Sequence, residues 1–330
     1  MKTKELGERP FLKSISHMIN QVPGTKLGFD DDASDFPIHE GKNLVLNVDT
    51  FVGDTDWLPN MTPAQVGRKT AVMTLSDLVA KGVQPQSTLL SMCVPEDYQT
   101  EDASEIIRGF SQYGLKHKIP FLGGDLGATN SVILTGVAFG FASPDDIITR
   151  RGATTGNIVA VTGKFGLTSI GFKILLEGLD VPDALQRRAL QAVYKPSIPF
   201  GIVKALAEKG AVTSAMDSSD GLGITLNTMA ELNGKGIVID NLPIASGITE
   251  VAEENDLDII ELIMGGGEEF IVVLTVPSGK WETARTNARK LNIPLHAIGK
   301  ITPEGPVEWN DGDRSHEIGF LGYDTFREWT

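Results

Sequence analysis

Three consecutive carboxylates, Asp30-Asp31-Asp32, followed by Ala33-Ser34, constrain this chain more than any other stretch. In a folded protein they repel one another, so a cation or solvent must neutralise them. Alone, the triplet reads as a solvated acidic turn. It has company. Asp49, Asp77, Asp125, Asp217 and Asp220 each sit at the end of an apolar run or beside glycines. An aspartate placed there is positioned to point into a shared cleft. Hard oxygen ligands supplied one or two at a time suit Mg²⁺, which keeps water and substrate phosphates in its remaining positions.

The totals agree with that chemistry. A chain of 330 residues is long for one hydrophobic core, which predicts two domains. With 41% hydrophobic residues it is globular rather than disordered. A formal net charge of −14, with no cluster of Lys and Arg, argues against nucleic acid or an anionic membrane as partner. Phosphorylated ligands would be repelled as well, unless metal ions bridged them. Cys93 is the only cysteine, so no disulfide can form within the chain and a reducing, cytoplasmic setting is expected. It lies in an apolar run and reads as packing rather than as a nucleophile. No apolar leader follows Met1, and no stretch approaches the ~18 residues of a membrane span.

Along the chain, Lys42 to Val48 alternates Leu44, Leu46 and Val48 on one face, a half-buried strand that ends at Asp49. Thr62-Pro63 starts a helix that runs to Gly82 and carries Ser76-Asp77 among apolar neighbours. A strand is expected over Ser87–Val94, a helix over Thr100–Lys116, and a strand over Val132–Phe141. Gly123-Gly124-Asp125 follows the short apolar run Ile119–Leu122. Such a triplet is either an ordinary turn or a place where backbone N–H groups approach a phosphate. The pattern pauses near Ser143-Pro144 and Arg150-Arg151-Gly152, which puts the domain boundary at 145/146.

The second half restarts with a buried strand at Asn157–Thr162. Gly163-Lys164-Phe165-Gly166 opens a helix to Gly178. It is no Walker A loop, because the first glycine is misplaced and Phe165 stands where a Ser or Thr should be. Helices are expected over 183–193, 199–209, 222–232 and 256–262, with strands over 236–240 and 270–276. Asp217-Ser218-Ser219-Asp220-Gly221 offers two carboxylates and a hydroxyl at a turn into a helix N-terminus. Capping accounts for one of these residues, but not for both aspartates and the serine. Glu268-Glu269 follows three glycines, as a plain turn or as part of a site. The aromatic tail from Gly319 to Phe326 should dock on the fold.

In this order the motifs resemble the thiamine-monophosphate kinase family of the aminoimidazole-ribonucleotide-synthetase-like superfamily. The matching pieces are the Asp30–Ser34 stretch, Val48-Asp49-Thr50, Leu75-Ser76-Asp77-Leu78, Gly123-Gly124-Asp125, Thr149-Arg150, Val161-Thr162-Gly163, the Asp217–Leu222 stretch and Gly266-Gly267-Glu268-Glu269-Phe270. The resemblance implies an α/β (α+β) fold in two domains. Residues 1–145 would bind ATP and Mg²⁺ and pair by their sheet in a homodimer, and residues 146–330 would form a C-terminal α/β domain. It also implies metal ligands at Asp31, Asp32, Asp49, Asp77, Asp125, Asp217 and Asp220, with catalysis centred on Asp125, Asp217 and Asp220. Gly124, Asp125, Arg150 and Ser219 would contact the nucleotide, and Asp56, Glu268, Glu269 and Tyr323 the acceptor. The implied reaction moves the ATP γ-phosphoryl group onto thiamine monophosphate.

Departures lie on the acceptor side. Asp30 replaces a family glycine, Asp56-Trp57 a histidine-aromatic pair, Leu126-Gly127 a pair of threonines, and Glu269-Phe270 an Asp-Tyr pair. These leave two other readings open: a sister ATP/Mg²⁺ enzyme with another small acceptor, or a non-catalytic nucleotide-binding scaffold.

Overall fold

The computed structural model describes residues 3–19 and 22–326, and the strands form two sheets. The first has the order β1-β2-β5-β3-β4, built from β1 (Ser34–Pro37), β2 (Asn43–Val52), β3 (Pro85–Val94), β4 (Phe121–Ala128) and β5 (Ile133–Ala142). Its pairs are antiparallel except β3 with β4, which are parallel and joined through the helix Thr100–Lys116. A parallel pair needs such a crossover.

The helix Pro63–Ala80 starts where the sequence places it. Thr62 and Gln65 form a reciprocal capping box, with proline at the first helical position. Both helices cover one face of the sheet and bury Val45, Phe51, Leu75, Leu78, Leu90, Phe110 and Leu134.

The alternation in β2 has the opposite sense to the one expected. Asn43, Val45, Asn47 and Phe51 point to the helices, while Leu44, Leu46 and Val48 lie on the outer face, Val48 being 63% exposed. Counting apolar residues chose the wrong face because two asparagines hold structural positions on the covered side. Asp49 is therefore mid-strand and shares the covered face rather than terminating the strand. The outer face is apolar too: Phe36 (50% exposed) and Phe141 (44%) pair across β1, β2 and β5 with Leu44 between them.

The second sheet has the order β12-β11-β8-β10-β6-β9-β7. Its strands are β6 (Ile158–Val161), β7 (Ser214–Ser218), β8 (Gly236–Ile239), β9 (Ile271–Val276), β10 (His296–Thr302), β11 (Val307–Asn310) and β12 (Ser315–Glu317). Helices Asp183–Tyr194 and Leu222–Asn233 follow the expected spans. The helix expected at 199–209 is confined to Ile202–Ala207, and that expected at 256–262 is displaced to Ile259–Met264 by its Asp258 cap. A further helix at Ile248–Glu254 lies outside the expected spans. Each sheet has its own core, and a third cluster including Ala80, Ile202, Val203, Ala215 and Leu274 joins them. The tail docks as expected: Leu321 carbonyl accepts from Ile224 N–H at 3.1 Å, and Phe326 meets Phe11 edge-on.

Candidate active site

Aspartates far apart in sequence meet where the two sheets join. β2 turns Asp49 toward the helices and presents Asn47, whose Nδ2 donates to Asp77 Oδ2 and to the Thr74 carbonyl. Asp77 lies in the last turn of Pro63–Ala80, beside Ser76. Ser76 Oγ crosses to the second sheet and donates to Asp217 Oδ2 at 2.6 Å. Asp217 is the next-to-last residue of β7 and is 3% exposed. One oxygen each from Asp32, Asp77 and Asp217 lie within 4.8 Å of one another.

Neither Asp217 nor Ser219 caps the following helix, whose N-cap is Gly221 with no side-chain cap bond. Helix capping therefore does not account for this motif. One expected backbone donor of that helix is already taken, because the docked tail accepts from Ile224 N–H.

The acids divide into two groups by the cations beside them. Arg150 Nε donates to Asp32 Oδ1 at 2.6 Å, and its backbone N–H donates to Asp31 Oδ2 at 3.0 Å. Lys81 Nζ lies 2.6 Å from both Asp31 Oδ1 and Asp32 Oδ2. Asp30 pairs with Arg151 at the surface, which accounts for an acid in place of glycine there. Asp49, Asp77, Asp217 and Asp220 have no such ion pair among the described residues.

Burial and mutual repulsion act on this second group. Burial pushes the Asp49 carboxyl up to about 7, with Asp217 and Asp220 adding to it against a bond from Thr50 N–H. Asp217 and Asp220 both rise to about 6, chiefly through burial, and Asp77 rises well above the usual range for the same reason. Asp32 moves the other way: burial opposes its charge, but Arg150 and Lys81 together hold it below the usual carboxylate range.

The donor set fits Mg²⁺. It is all oxygen and mostly carboxylate, and it is uncompensated in one half. Asp32 Oδ2 lies near the Lys81 ammonium yet outside hydrogen-bonding geometry, so it is a buried acceptor with no hydrogen-bond partner. Its lone pairs are available to a cation.

A pH dependence follows. Carboxyls whose folded pKa exceeds the unfolded value contribute stability that is complete below the unfolded pKa, near 4, and lost as pH rises through 6 to 7. In chelator the melting temperature should therefore fall between about pH 4 and pH 7, and Mg²⁺ should raise it more at the upper end, where no proton competes. Calorimetric scans across that range check this. A flat or rising profile in chelator would mean the acids are not forced together.

Asp125 and Gly124 do not join this cluster within the chain. The triplet is neither turn nor loop but part of the edge strand β4. In register, Gly124 shares a row with Leu90, Gly136 and Asp49, on the covered face. Asp125 is one residue on, in the row of Ser91, Thr135 and Thr50, so its carboxylate points to the opposite, outer face.

On the acceptor side the two glutamates separate. Glu268 pairs with Lys69 at 2.5 Å, and its Oε2 is buried without a hydrogen-bond partner. Glu269 faces the other way, accepting from Gly166 N–H at 2.8 Å and Thr168 Oγ1 at 3.0 Å, and burial pushes it up to about 7. Glu268 and Phe270 hold positive φ angles of 61° and 51°, a strained turn of the kind retained at binding sites. Both glutamates line a cavity of about 560 Å³ with Lys164, Arg188 and Lys195 at its wall. Asp56 spends its carboxylate locally, on Val52 N–H and Thr55 Oγ1, while its carbonyl accepts from Lys69. Tyr323 is anchored by its N–H to the Asp220 carbonyl at 2.8 Å.

Lys69, Lys81 and Asn47 escaped the sequence reading. One signal was present: Lys81 lies four residues after Asp77 and so shares its helix face.

Two α/β sheets meeting over an acidic junction define a class. Residues 30–142 match the AIR synthase related protein N-terminal domain, and residues 154–310 match its C-terminal domain. A thiamine-monophosphate kinase of Nitrosopumilus maritimus (strain SCM1) is 34% identical over 305 residues, covering 92% of this chain and 95% of that one. The fold is similar to tt0281 from Thermus thermophilus, with TM-score 0.85, 28% identity and coverage of 94% of this chain and 98% of that one. It is also similar to AaThiL complexed with AMPPCP and TMP, with TM-score 0.84, 24% identity and coverage of 98% and 99%. The chain belongs to the AIR synthase related family and, within it, to the thiamine-monophosphate kinases.

Proposed function

We infer that this chain transfers the γ-phosphoryl group of ATP to the phosphate of thiamine monophosphate, giving thiamine diphosphate and ADP. The observation that carries this reading is the acid group Asp49, Asp77, Asp217 and Asp220 at the sheet junction, none of it ion-paired among the described residues, in a chain whose relative bears that activity in its name. An oxygen of the acceptor phosphate attacks the γ-phosphorus, and the bond to the β-phosphate oxygen breaks. That oxygen is already deprotonated, so no general base is required. Both reactants are anions, and the barrier yields mainly to positioning and charge neutralisation.

Mg²⁺ would be held by Asp32, Asp49, Asp77, Asp217 and Asp220 and would supply charge neutralisation for the phosphates. The chain's own groups do the rest. Arg150, fixed by Asp32, lies beside the cluster, and Ser219 sits between the two aspartates of its loop. The cavity lined by Glu268 and Glu269 offers the acceptor apolar side chains such as Leu167 and Ile271 and the cations Lys164, Arg188 and Lys195. Thiamine-monophosphate-dependent ADP release, with diphosphate identified as product, tests the reading. Nucleotide binding without turnover on this acceptor would overturn it.

The domain division at 145/146 belongs to the same proposal, although residues 8–11 reach across it to the tail and to Thr228. So does a cytoplasmic location, for which the solitary Cys93 is the support; among the described residues no helix is long and apolar enough to cross a membrane. The homodimer is supported by the outer face of the first sheet, where Phe36, Val48 and Phe141 stand exposed in one apolar surface. A second copy packed there also delivers Asp125 to the interface. The chain should then sediment near twice 35.5 kDa, and Val48→Lys should shift it toward monomer. A wild-type monomer at micromolar concentration would refute the pairing.

A further inference from the structure

Lys81 follows the apolar run Leu78-Val79-Ala80 at the end of its helix and is 0% exposed. Its backbone is pinned on both sides, since its N–H donates to the Asp77 carbonyl and its own carbonyl accepts from Ile148 N–H, each at 3.0 Å. The ammonium has three oxygen neighbours: Asp31 Oδ1 at 2.6 Å, Asp32 Oδ2 at 2.6 Å and the Ala215 carbonyl at 2.7 Å. Two carboxylates and a backbone carbonyl form a donor set typical of a hard-cation site. A buried ammonium is tolerated only where such partners compensate it.

We propose that the Lys81 ammonium is a resident cation of the acid cluster, filling a three-oxygen cage that a cation from solution would otherwise occupy. Asp31 then acts as a positioning residue rather than a metal ligand, because both its oxygens are committed, one to Lys81 and the other to Arg150 N–H. Exchangeable Mg²⁺ is confined to the side formed by Asp32, Asp49, Asp77, Asp217 and Asp220, with Asp32 shared between that side and the cage. The chain thereby carries part of its counter-charge with it and holds Asp31 and Asp32 in place before nucleotide arrives. This rests on reading the cluster as a cation site, but its test uses melting and not turnover, so it stands or falls separately from the kinase assay.

The test compares Lys81→Ala, which empties the cage, with Lys81→Met, which fills it without charge. Breaking a buried pair of this kind should lower the melting temperature of both variants in chelator by roughly 10 °C. Excess ammonium, or Mg²⁺ beyond the rise it gives the unmutated chain, should restore at least half of that loss in Lys81→Ala and little in Lys81→Met, while tetramethylammonium at equal ionic strength restores neither. Restoration that is equal in the two variants, equal for tetramethylammonium, or absent in Lys81→Ala would overturn the proposal. If Lys81→Ala does not fold in chelator, its refolding yield from urea under the same three salts gives the same comparison.

Discussion

Asp217→Asn is expected to lower kcat by roughly 10²- to 10³-fold, the scale of a lost electrostatic contact to a transition state. In chelator it should also raise the melting temperature. The two effects have one cause. Asp217 is 3% exposed, burial lifts its carboxyl to about 6, and the Asp32 charge adds to the repulsion. At neutral pH an ionised carboxylate there costs stability that Asn does not, and the amide oxygen still accepts the bond from Ser76 Oγ. Asp220→Asn should behave in the same direction, since burial, with repulsion from Glu8 and Asp217 added, raises its carboxyl to about 6 as well. A purely structural aspartate would give the reverse pattern, with melting lowered and kcat little changed. Steady-state kinetics with both substrates, beside scans in chelator and in Mg²⁺, separates the two cases. Wild-type kcat in well-folded Asp217→Asn would show that the phosphates lie elsewhere.

Gly67→Ala should lower the melting temperature by roughly 5–10 °C, on the scale of overpacking a tight contact. In an ordinary helix interior this change stabilises by about 1 kcal/mol, so the sign itself is the test. Here Pro63–Ala80 crosses Thr100–Lys116 with backbones in contact. A Cβ on Gly67 would lie 1.8 Å from the Ile106 carbonyl oxygen, and one on Gly109 would lie 1.9 Å from that of Ala64. Backbone cannot yield as a flexible side chain can, so the helices must separate. Because Asp77 and Lys81 ride on the end of the same helix, kcat should fall along with stability. A melting temperature unchanged or raised in Gly67→Ala would show that the crossing is looser than its geometry states.

The sequence by itself determined the type of most elements it placed, several helix starts and the family resemblance. Thr62-Pro63 with Gln65 is a local signal complete in four residues, and the chain obeys it. Clustered aspartates beside glycines announced cation chemistry for the same reason: like charges are gathered only where something neutralises them. What only the tertiary structure decided concerns partners distant in the chain. Two structural asparagines in β2 reversed the expected covered face, because Asn47 bonds to Asp77, 30 residues on. Asp125 was expected beside Asp217, but a one-residue step in register sends its carboxylate to the other side of the sheet. Glu268 and Glu269, adjacent in sequence, face opposite ways because a strained turn rotates successive side chains apart. Lys81 looked like an ordinary helix end, and its meaning depends on Asp31, Asp32 and Ala215, which lie 50 residues before it and 134 after. Local chemistry fixes where elements begin and what they carry. Which charges finally face one another is set by packing between segments that the linear pattern does not relate.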